Sequence, residues 1–447
     1  MKNLFTIFFS FLFFFSLNAQ HLSKVYILSE GGFSQGTSML SLYNVQSNIF
    51  YQSIFSPGNI GLYPDGLIYH NGFLYLTEQG SFGSSGKIYK LDTLGNVLNS
   101  AIVGTNPYSL AIANNKIYIT NGPASNVSVL NLSNFSFIKN ISVGVYPQEI
   151  IAFNNKIFVA NNSLFGGSSD STVSVIDPIV DSVIAKITVR KDPSSFAISN
   201  DGFLLIGCPG DENNGKIFKI NPNNFQKVAE YSVPIYGVGK DISVDKNSND
   251  LFLISYLNDI VKYNPNTNSS SLVLSSVYPN NYYYGYAYDF STKKHFVLDA
   301  KNFTVNGSMR ILDSTYNLIG TYQTGIAPRR ILFKYFDNPS SADETMLVNN
   351  FILEQNYPNP FGNTKQSDNF VTKISWQSPI SGWTTLKIYD VLGNELETVF
   401  DNYLDAGYHD VTYSAKSSMP SGIYFYSLSV TNGKKVFSST KKMIVVK

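Results

Sequence analysis

Hydrophobic and polar residues alternate in short runs along most of the chain, and one such pattern recurs. The clearest copy, PYSLAIANNKIYITN, begins at Pro107; PQEIIAFNNKIFVAN follows from Pro147, and a looser copy begins at Pro193. Each copy has a proline, a short alternating strand, a tight polar turn and a second apolar strand. Because the copies are 40 to 46 residues apart with no helical pattern between them, they predict the blades of a β-propeller.

The ends of the repeat series predict how the propeller closes. Further copies begin at Pro64, Lys240 and Tyr284, and each copy is followed by two more predicted strands. Pro328 opens a first strand with no second strand after it, whereas Ser23–Ser29 matches a second strand with no first strand before it. Joining these ends predicts an all-β, seven-bladed propeller over residues 20–336, with six or eight blades as alternatives. An open solenoid or a sandwich would not need complementary ends.

A second pattern begins after a polar break at residues 337–350, which we interpret as a linker. From 351 to 447, alternating runs recur about every ten residues, which predicts a small antiparallel, immunoglobulin-like β-sandwich.

Residues 1–19 have Lys2 followed by an apolar run from Leu4 to Leu17, which predicts a signal peptide cleaved after Ala19. The alternative, a membrane anchor, is disfavoured because this run is too short to span a bilayer. No other transmembrane segment is predicted.

Composition narrows the possible partners. The net charge is +1 and only 14% of residues are charged, which argues against nucleic acid or an anionic membrane as the main partner. Cys208 is the only cysteine, so no internal disulfide is predicted, and a small buried residue is the preferred interpretation over a nucleophile.

Polar residues that depart from the repeat are the candidates for function, since repeat positions build the blades. They occupy the starts of first strands and the ends of second strands, which we expect at one mouth of the central channel: Glu78, Asn121, Glu149, Asn161, Asp241, Asp299 and Arg330. Their oxygens suit Ca²⁺ or another divalent cation. The preferred alternative is that such residues cap strands and turns.

Arg329 and Arg330 could hold an anion, although a solvated rim is the preferred interpretation. The sequence has no histidine cluster, GxSxG motif or P-loop, and therefore no catalytic residue is predicted.

The repeat copies resemble the YVTN type of propeller repeat, within the wider WD40-like group. The match is carried by PQEIIAFNNKIFVAN from Pro147 and by VSVID at Val173–Asp177, and the resemblance covers roughly residues 22–336. It implies the propeller fold. It leaves function open, because such propellers include surface-layer proteins, ligand-binding proteins and lactone-cleaving enzymes.

Residues 351–447 resemble the C-terminal (Por) sorting domain of type IX secretion cargo. The matching motifs are FILEQNYPNPF, LKIYDVLGNEL, an Ala-Gly pair, SGIYFYSL and a late Lys-Met pair, and they contain Asn356, Tyr357, Pro358, Asn359, Pro360, Phe361, Gly393, Gly407, Gly422 and Lys442. The chain departs from the family at 362–369, where a longer turn lacks the usual proline. The resemblance implies that the type IX machinery is a partner and that the protein is secreted or attached to the outer-membrane surface. The alternative is an ordinary immunoglobulin-like adhesion module.

Two functions remain open from the sequence. The first is a non-enzymatic binding protein that takes an extracellular protein, a glycan or a small ligand at the channel mouth. The second is a metal-dependent hydrolase or lyase of the lactonase type.

Four sites also resemble the Asp-Ser/Thr-apolar acceptor of bacterial O-glycosylation: Thr93, Ser171, Ser182 and Ser314. Because turns are rich in Asp-Ser pairs, ordinary turn chemistry is the alternative.

Overall fold

The computed structural model describes residues 21–32, 34, 36–56, 63–163, 167–209, 214–277, 279–335, 351–356, 358–362, 371–380, 382–404, 407–416, 419–433 and 435–446. The predicted signal peptide, the predicted linker and Tyr357 lie outside these residues. The described residues form strands and turns without an α-helix, which confirms the all-β prediction. Among them, no helix is long and apolar enough to cross a membrane.

Twenty-eight strands precede residue 336, and most are five to eight residues long. In chain order they are β1 (Leu22–Ser29), β2 (Met39–Asn44), β3 (Ile49–Phe55), β4 (Pro64–His70), β5 (Phe73–Glu78), β6 (Ser85–Leu91), β7 (Val97–Thr105), β8 (Pro107–Ala113), β9 (Lys116–Asn121), β10 (Asn126–Asn131), β11 (Phe137–Ser142), β12 (Pro147–Phe153), β13 (Lys156–Asn161), β14 (Thr172–Asp177), β15 (Ser182–Thr188), β16 (Ser195–Ile198), β17 (Leu204–Cys208), β18 (Lys216–Ile220), β19 (Lys227–Tyr231), β20 (Lys240–Val244), β21 (Leu251–Ile254), β22 (Ile260–Asn264), β23 (Ser269–Leu274), β24 (Tyr283–Asp289), β25 (Lys294–Asp299), β26 (Asn306–Leu312), β27 (Leu318–Ile326) and β28 (Pro328–Tyr335).

These strands form seven four-stranded antiparallel sheets in the described part of the chain. Six sheets take four consecutive strands each, beginning at β4, β8, β12, β16, β20 and β24. The seventh has the order β28-β1-β2-β3, so the last of these strands pairs with the first, with Tyr26 opposite Leu332. The first strand of each sheet contacts the first strand of the next from β4 to β28, and β28 contacts β4.

The repeat folds as it does because its turn and its apolar positions are both local signals. Asn114 and Asn115 have φ values of 48° and 58°, which asparagine tolerates and which a two-residue hairpin turn requires. After this turn, β9 buries five of its six side chains, whereas the fourth strand of the same sheet, β11, is mostly exposed. The apolar core therefore lies between neighbouring sheets, and polar residues collect on the outer strands and at the strand ends.

Eight further strands make up the C-terminal region. They are β29 (Ile352–Leu353), β30 (Phe361–Gly362), β31 (Val371–Ser378), β32 (Gly382–Tyr389), β33 (Glu395–Leu404), β34 (Gly407–Ser414), β35 (Gly422–Thr431) and β36 (Val436–Val446). They form a three-stranded sheet, β29-β31-β34, and a five-stranded sheet, β30-β36-β35-β32-β33. The two sheets share one hydrophobic core around Trp376, Leu386 and Tyr426. The short β30 runs parallel to β36, in contrast to the antiparallel pairing expected from the sequence.

Candidate functional site

Arg330 on β28 connects three sheets. Its Nε donates to the carboxylate Oδ1 of Asp65 at 2.7 Å and to the backbone carbonyl of Asp65 at 3.0 Å. Its Nη2 donates to Oε1 of Glu149. Asp65 belongs to β4 and Glu149 to β12, so a single guanidinium joins sheets that do not share a strand.

Arg329, the preceding residue, pairs with a different sheet. Its Nη1 donates to both carboxylate oxygens of Asp241, at 3.0 and 2.8 Å, and its Nη2 lies 4.0 Å from Oε1 of Glu149. Asp241 sits on β20 with φ of 55°, and its Oδ2 also accepts a hydrogen bond from the backbone N–H of Tyr286. We call Asp65, Glu149, Asp241, Arg329 and Arg330 the central charge network.

Burial makes the central charge network energetically demanding. Asp65 is 1% exposed and Arg329 is 5% exposed. Burial raises the pKa of Glu149, and the nearby Arg330 partly offsets this effect. Burial also opposes the charge of Arg330, but Asp65 and Glu149 hold its pKa well above the ordinary value. Each charged group therefore depends on its partner, since an unpaired charge in such a place is costly.

A second set of titratable groups borders the network. The hydroxyl of Tyr284 donates to Oε1 and Oε2 of Glu30, at 3.1 and 3.2 Å, and Nζ of Lys240 lies 4.0 Å from the centre of the Tyr284 ring. Burial, together with the charge of Asp65, raises the pKa of Glu30 to about 7. Burial and the charge of Arg329 lower the pKa of Lys240 to about 7. The charge beside the network thus changes near neutral pH.

A cavity of about 220 Å³ opens against the central charge network. Its polar lining consists of Glu149, Ser194, Ser195, Asp241 and Arg330, and its apolar lining includes Ile150, Ile151, Phe196, Ile242 and Tyr286. The hydroxyls of Ser194 and Ser195 are buried and have no hydrogen-bond partner among the described residues.

Gly207 on β17 lies against the Ser195 side chain, and a larger residue would collide with it. A Cβ at position 207 would lie 2.3 Å from Oγ of Ser195 and 2.7 Å from Cδ1 of Ile242. A glycine at this position of the strand therefore leaves space for the Ser195 hydroxyl, which packs against β17.

Comparison with known proteins identifies the family. Residues 24–321 match the family described as Domain of unknown function (DUF5074). The chain belongs to this family. No curated protein matches the sequence.

Two of the solved structures that are similar to this DUF5074 chain come from Bacteroides species. A quinonprotein alcohol dehydrogenase-like protein from Bacteroides thetaiotaomicron VPI-5482 is 17% identical, with a TM-score of 0.57 over 71% of this chain and 79% of its own. A protein from Bacteroides fragilis NCTC 9343, proposed to be a 6-phosphogluconolactonase, is 12% identical, with a TM-score of 0.51 over 72% of this chain and 99% of its own. At these identities the likeness concerns the fold alone, and it confirms the prediction of a propeller fold.

The structure brings together three of the seven residues predicted at the channel mouth: Glu149, Asp241 and Arg330 all line the cavity. The interpretation of Arg329 and Arg330 as a solvated rim is wrong, because Arg329 is buried and both arginines are paired with carboxylates. Sequence reasoning missed Asp65, the second residue of β4. It also missed the group formed by Glu30, Lys240 and Tyr284, for which no local pattern gives a signal.

The other four predicted mouth residues bond within their own sheets. Glu78 accepts a 2.8 Å hydrogen bond from Tyr89. The amide groups of Asn121 and Asn161 donate to side chains of the next strand, and Asp299 accepts the backbone N–H groups of Tyr282 and Lys301. In the described ranges, no group of three or more His, Cys, Asp or Glu side chains is arranged to hold a metal ion. Asn161 and Asp299 accept backbone N–H groups, as the strand-capping interpretation expects, whereas Glu78 and Asn121 bond only side chains. Oε1 of Glu78 and Oδ1 of Asn121 are buried without a hydrogen-bond partner among the described residues.

Cys208 is fully buried at the end of β17, and burial raises the pKa of its thiol to about 12. A neutral thiol in this position is a poor nucleophile, in keeping with the small-residue interpretation.

The predicted sorting motif packs against the last strand. Gln355 donates to the carbonyl of Lys442 at 2.7 Å, and Oδ1 of Asn359 accepts the backbone N–H of Ile444 at 2.8 Å. Asn356 is buried and donates to Thr372 at 2.9 Å. Pro358 and Pro360 lie between these contacts, Phe361 begins β30, Gly393 has φ of 84° in a turn, and Gly407 and Gly422 begin β34 and β35.

The four predicted glycan acceptors differ in exposure. Ser182 and Ser314 are exposed, whereas Thr93 and Ser171 are half-buried. The carbonyl of Thr93 accepts a hydrogen bond from the hydroxyl of Tyr26. Ser182 and Ser314 are therefore the two accessible acceptors of this set.

Proposed function

We propose that this chain is an exported binding protein whose propeller takes a ligand in the cavity beside the central charge network. The observation that carries the proposal is the cavity itself, where the charged side chains of Glu149, Asp241 and Arg330 meet an apolar wall. Polar groups that converge on an apolar pocket are the usual construction of a binding site.

We further propose that the seven sheets are the blades of a closed propeller of the YVTN type. Two observations support closure: β28 pairs with β1, and the first strands contact one another in a cycle that returns to β4. The central charge network adds contacts between β28, β12 and β20, which are not neighbours in this cycle. It would hold opposite blades together across the channel.

For export, we propose that residues 351–447 are an immunoglobulin-like sorting domain read by the type IX secretion machinery. Two observations support this proposal: the order of the sequence motifs, and the hydrogen bonds between the opening motif and the last strand. After removal of the signal peptide, the protein would be released or attached to the cell surface. The exposed Ser182 and Ser314 are the acceptors we propose for glycan.

The lactonase-type alternative has less support from the described residues. A metal in the channel requires several carboxylates free to coordinate it. Here Asp65, Glu149 and Asp241 are each engaged by an arginine. Binding therefore accounts for the site better than metal-dependent hydrolysis does.

The binding function is testable with the purified full chain. We expect ligand-observed NMR with a panel of small polar metabolites, including neutral, anionic and cationic compounds, to detect at least one binder. Phe196→Ala removes an apolar side chain from the cavity wall and should weaken that binding by at least about tenfold. Leu110→Ala is the matched control, since Leu110 holds the same repeat position on β8 and does not line the cavity. A panel without any binder would contradict the proposal.

A further inference from the structure

We propose that Lys240 is a nucleophilic amine that forms a reversible imine with small aldehydes. The site is separate from the cavity, since neither Lys240 nor its neighbours Tyr284 and Glu30 line the cavity. Three observations carry the inference: the Lys240 amine has no acidic partner, it lies beside a second cation, and it keeps a surface that solvent can reach.

The amine of Lys240 lies against an aromatic ring and has no counter-ion. Its Nζ is 4.0 Å from the centre of the Tyr284 ring. Within the described ranges, no carboxylate lies within ion-pair distance of this Nζ and no group accepts a hydrogen bond from it. The adjacent carboxylate, Asp241, is engaged through both of its oxygens by Nη1 of Arg329. By contrast, the half-buried Lys116 pairs with an aspartate at 2.7 Å.

A second cation lies against the same ring. Cζ of Arg329 is 5.5 Å from the centre of the Tyr284 ring. Because like charges repel and burial penalises the charged form, an amine in this place loses its proton more readily than an exposed one. The Glu30 carboxyl, which accepts hydrogen bonds from the Tyr284 hydroxyl, offsets this effect incompletely, since burial raises its own pKa to about 7.

The surrounding charges leave Lys240 partly neutral. Burial lowers its pKa most, and the cations Arg329 and Arg330 lower it further. The carboxylates Asp241 and Glu30 oppose them, and the resulting pKa is about 7. A lysine with the ordinary pKa of about 10.4 is almost entirely charged at neutral pH, whereas about half of the Lys240 side chains would carry a neutral amine.

A neutral lysine amine is the form that attacks carbonyl compounds. Its nitrogen attacks the carbonyl carbon of an aldehyde, and a C–N bond forms. The carbonyl oxygen then leaves as water with the two hydrogens of the amine, which gives the imine without any oxidant or reductant. Lys240 is half-buried and its Nζ retains accessible surface, so a small aldehyde can reach it from solvent.

The test treats the purified full chain with propionaldehyde and sodium cyanoborohydride, which reduces the imine to a stable amine. Peptide mass spectrometry would follow the labelling of each lysine at pH 7. We expect Lys240 to be labelled at least about tenfold faster than Lys139, an exposed lysine on β11. This preference should disappear in urea, where the folded surroundings are lost, and should shrink at about pH 10, where ordinary lysines are also partly neutral.

Two variants make the outcome specific. Lys240→Arg keeps the positive charge and should abolish the fast labelling, whereas Lys139→Arg should leave it unchanged. Labelling of Lys240 no faster than that of Lys139 at pH 7, or labelling that rises only above about pH 9, would overturn the inference. Fast labelling that persists in urea would also overturn it, because the fold would then not be its cause. The reaction needs no ligand in the cavity, so failure of either proposal is distinct from failure of the other.

Discussion

Arg330 and Glu149 are 181 residues apart in the sequence, yet they form an ion pair between β28 and β12, two strands of different sheets. Arg329, next along the same strand, pairs with Asp241 on β20. Two consecutive arginines thus tie one strand to distant parts of the propeller region. The stability of these sheets should therefore depend on a few central side chains as well as on the apolar core between neighbours.

Replacement of one partner should be far more harmful than replacement of both. Arg330→Ala leaves Glu149 and Asp65 buried without their partner, and we expect the free energy of unfolding to fall by about 3–5 kcal/mol. Arg330→Met combined with Glu149→Leu should recover part of this loss. Urea unfolding of the single and double variants measures both effects.

The exposed pair Lys227–Glu230 is the control for that experiment. Its side chains are 52% and 37% exposed, so Lys227→Ala should change the unfolding free energy by less than about 1 kcal/mol. If Arg330→Ala costs no more than Lys227→Ala, the central charge network does not stabilise the fold.

Glu78 should make the protein less stable as the pH rises from acid to neutral. Burial raises the pKa of this carboxyl from 4.5 to about 7, and only Tyr89 and Lys87 counter the effect. Between these values the unfolded chain loses a proton that the folded protein keeps, so the unfolding free energy falls with rising pH. Glu78→Gln removes this dependence. We expect the variant to match the parent at pH 4 and to exceed it at pH 8 by at most about 3 kcal/mol.

Chemical denaturation at a series of pH values tests the assignment to Glu78. Glu230→Gln, an exposed carboxyl in the propeller region, should show no such gain at pH 8. Equal pH profiles for Glu78→Gln and the parent protein would show that Glu78 titrates normally.

Asn161 should prove to be a structural residue and not a calcium ligand. Its amide donates to Thr172 and Ser174 at 2.9 and 3.0 Å, and its oxygen accepts the backbone N–H of Gly144 at 3.0 Å. Asn161→Ala should therefore lower the unfolding free energy by about 2–4 kcal/mol. The unfolding temperature of the parent should be the same in millimolar calcium and in EDTA. A calcium-dependent rise that Asn161→Ala abolishes would support the metal site instead.

Replacement of Asn359 should reduce export, because its side chain forms a hydrogen bond with the last strand. Asn359→Ala removes the acceptor for the backbone N–H of Ile444, and we expect the C-terminal region to lose about 1–2 kcal/mol of stability. The amount of protein outside the cell, measured by immunoblot in the native host, should fall. Asn402→Ala, at an exposed asparagine on β33, is the control.

Deletion of Phe351–Lys447 tests the secretion route more directly. The truncated protein should carry an intact propeller region and remain in the periplasm. Normal release of this truncated chain would overturn the sorting proposal, whereas retention with loss of the fold would be detected by protease resistance of the periplasmic protein.

The strands were predictable because their signals are local. The two asparagines of the β8–β9 turn and the alternation around them fix a hairpin without reference to the rest of the chain. Glu149, Asp241 and Arg330, which line the cavity, were singled out in the same way, as departures from a repeat. The sorting motif is also a local sequence, and its contacts with β36 bring together segments of one small region.

The pairing of charges could not be predicted, since it depends on which sheets bring their side chains together in the folded protein. Nothing near Arg330 in the sequence marks Asp65 or Glu149 as its partner. Arginines also lie at the surface in most proteins, which is why a solvated rim was preferred. The sequence also could not show that the hydroxyl of Ser195 has no hydrogen-bond partner among the described residues. A repeat position does not reveal which groups its side chain contacts.

The pairing of β28 with β1 imposes an order on assembly. The sheet begun by the first described strand cannot be finished until residues 328–335 arrive, about three hundred residues later. The same late strand brings both arginines of the central charge network. A chain interrupted anywhere before it lacks the edge of its first sheet and the cations of its cavity together. The last strand of the first sheet and both arginines beside the cavity are thus acquired in one step.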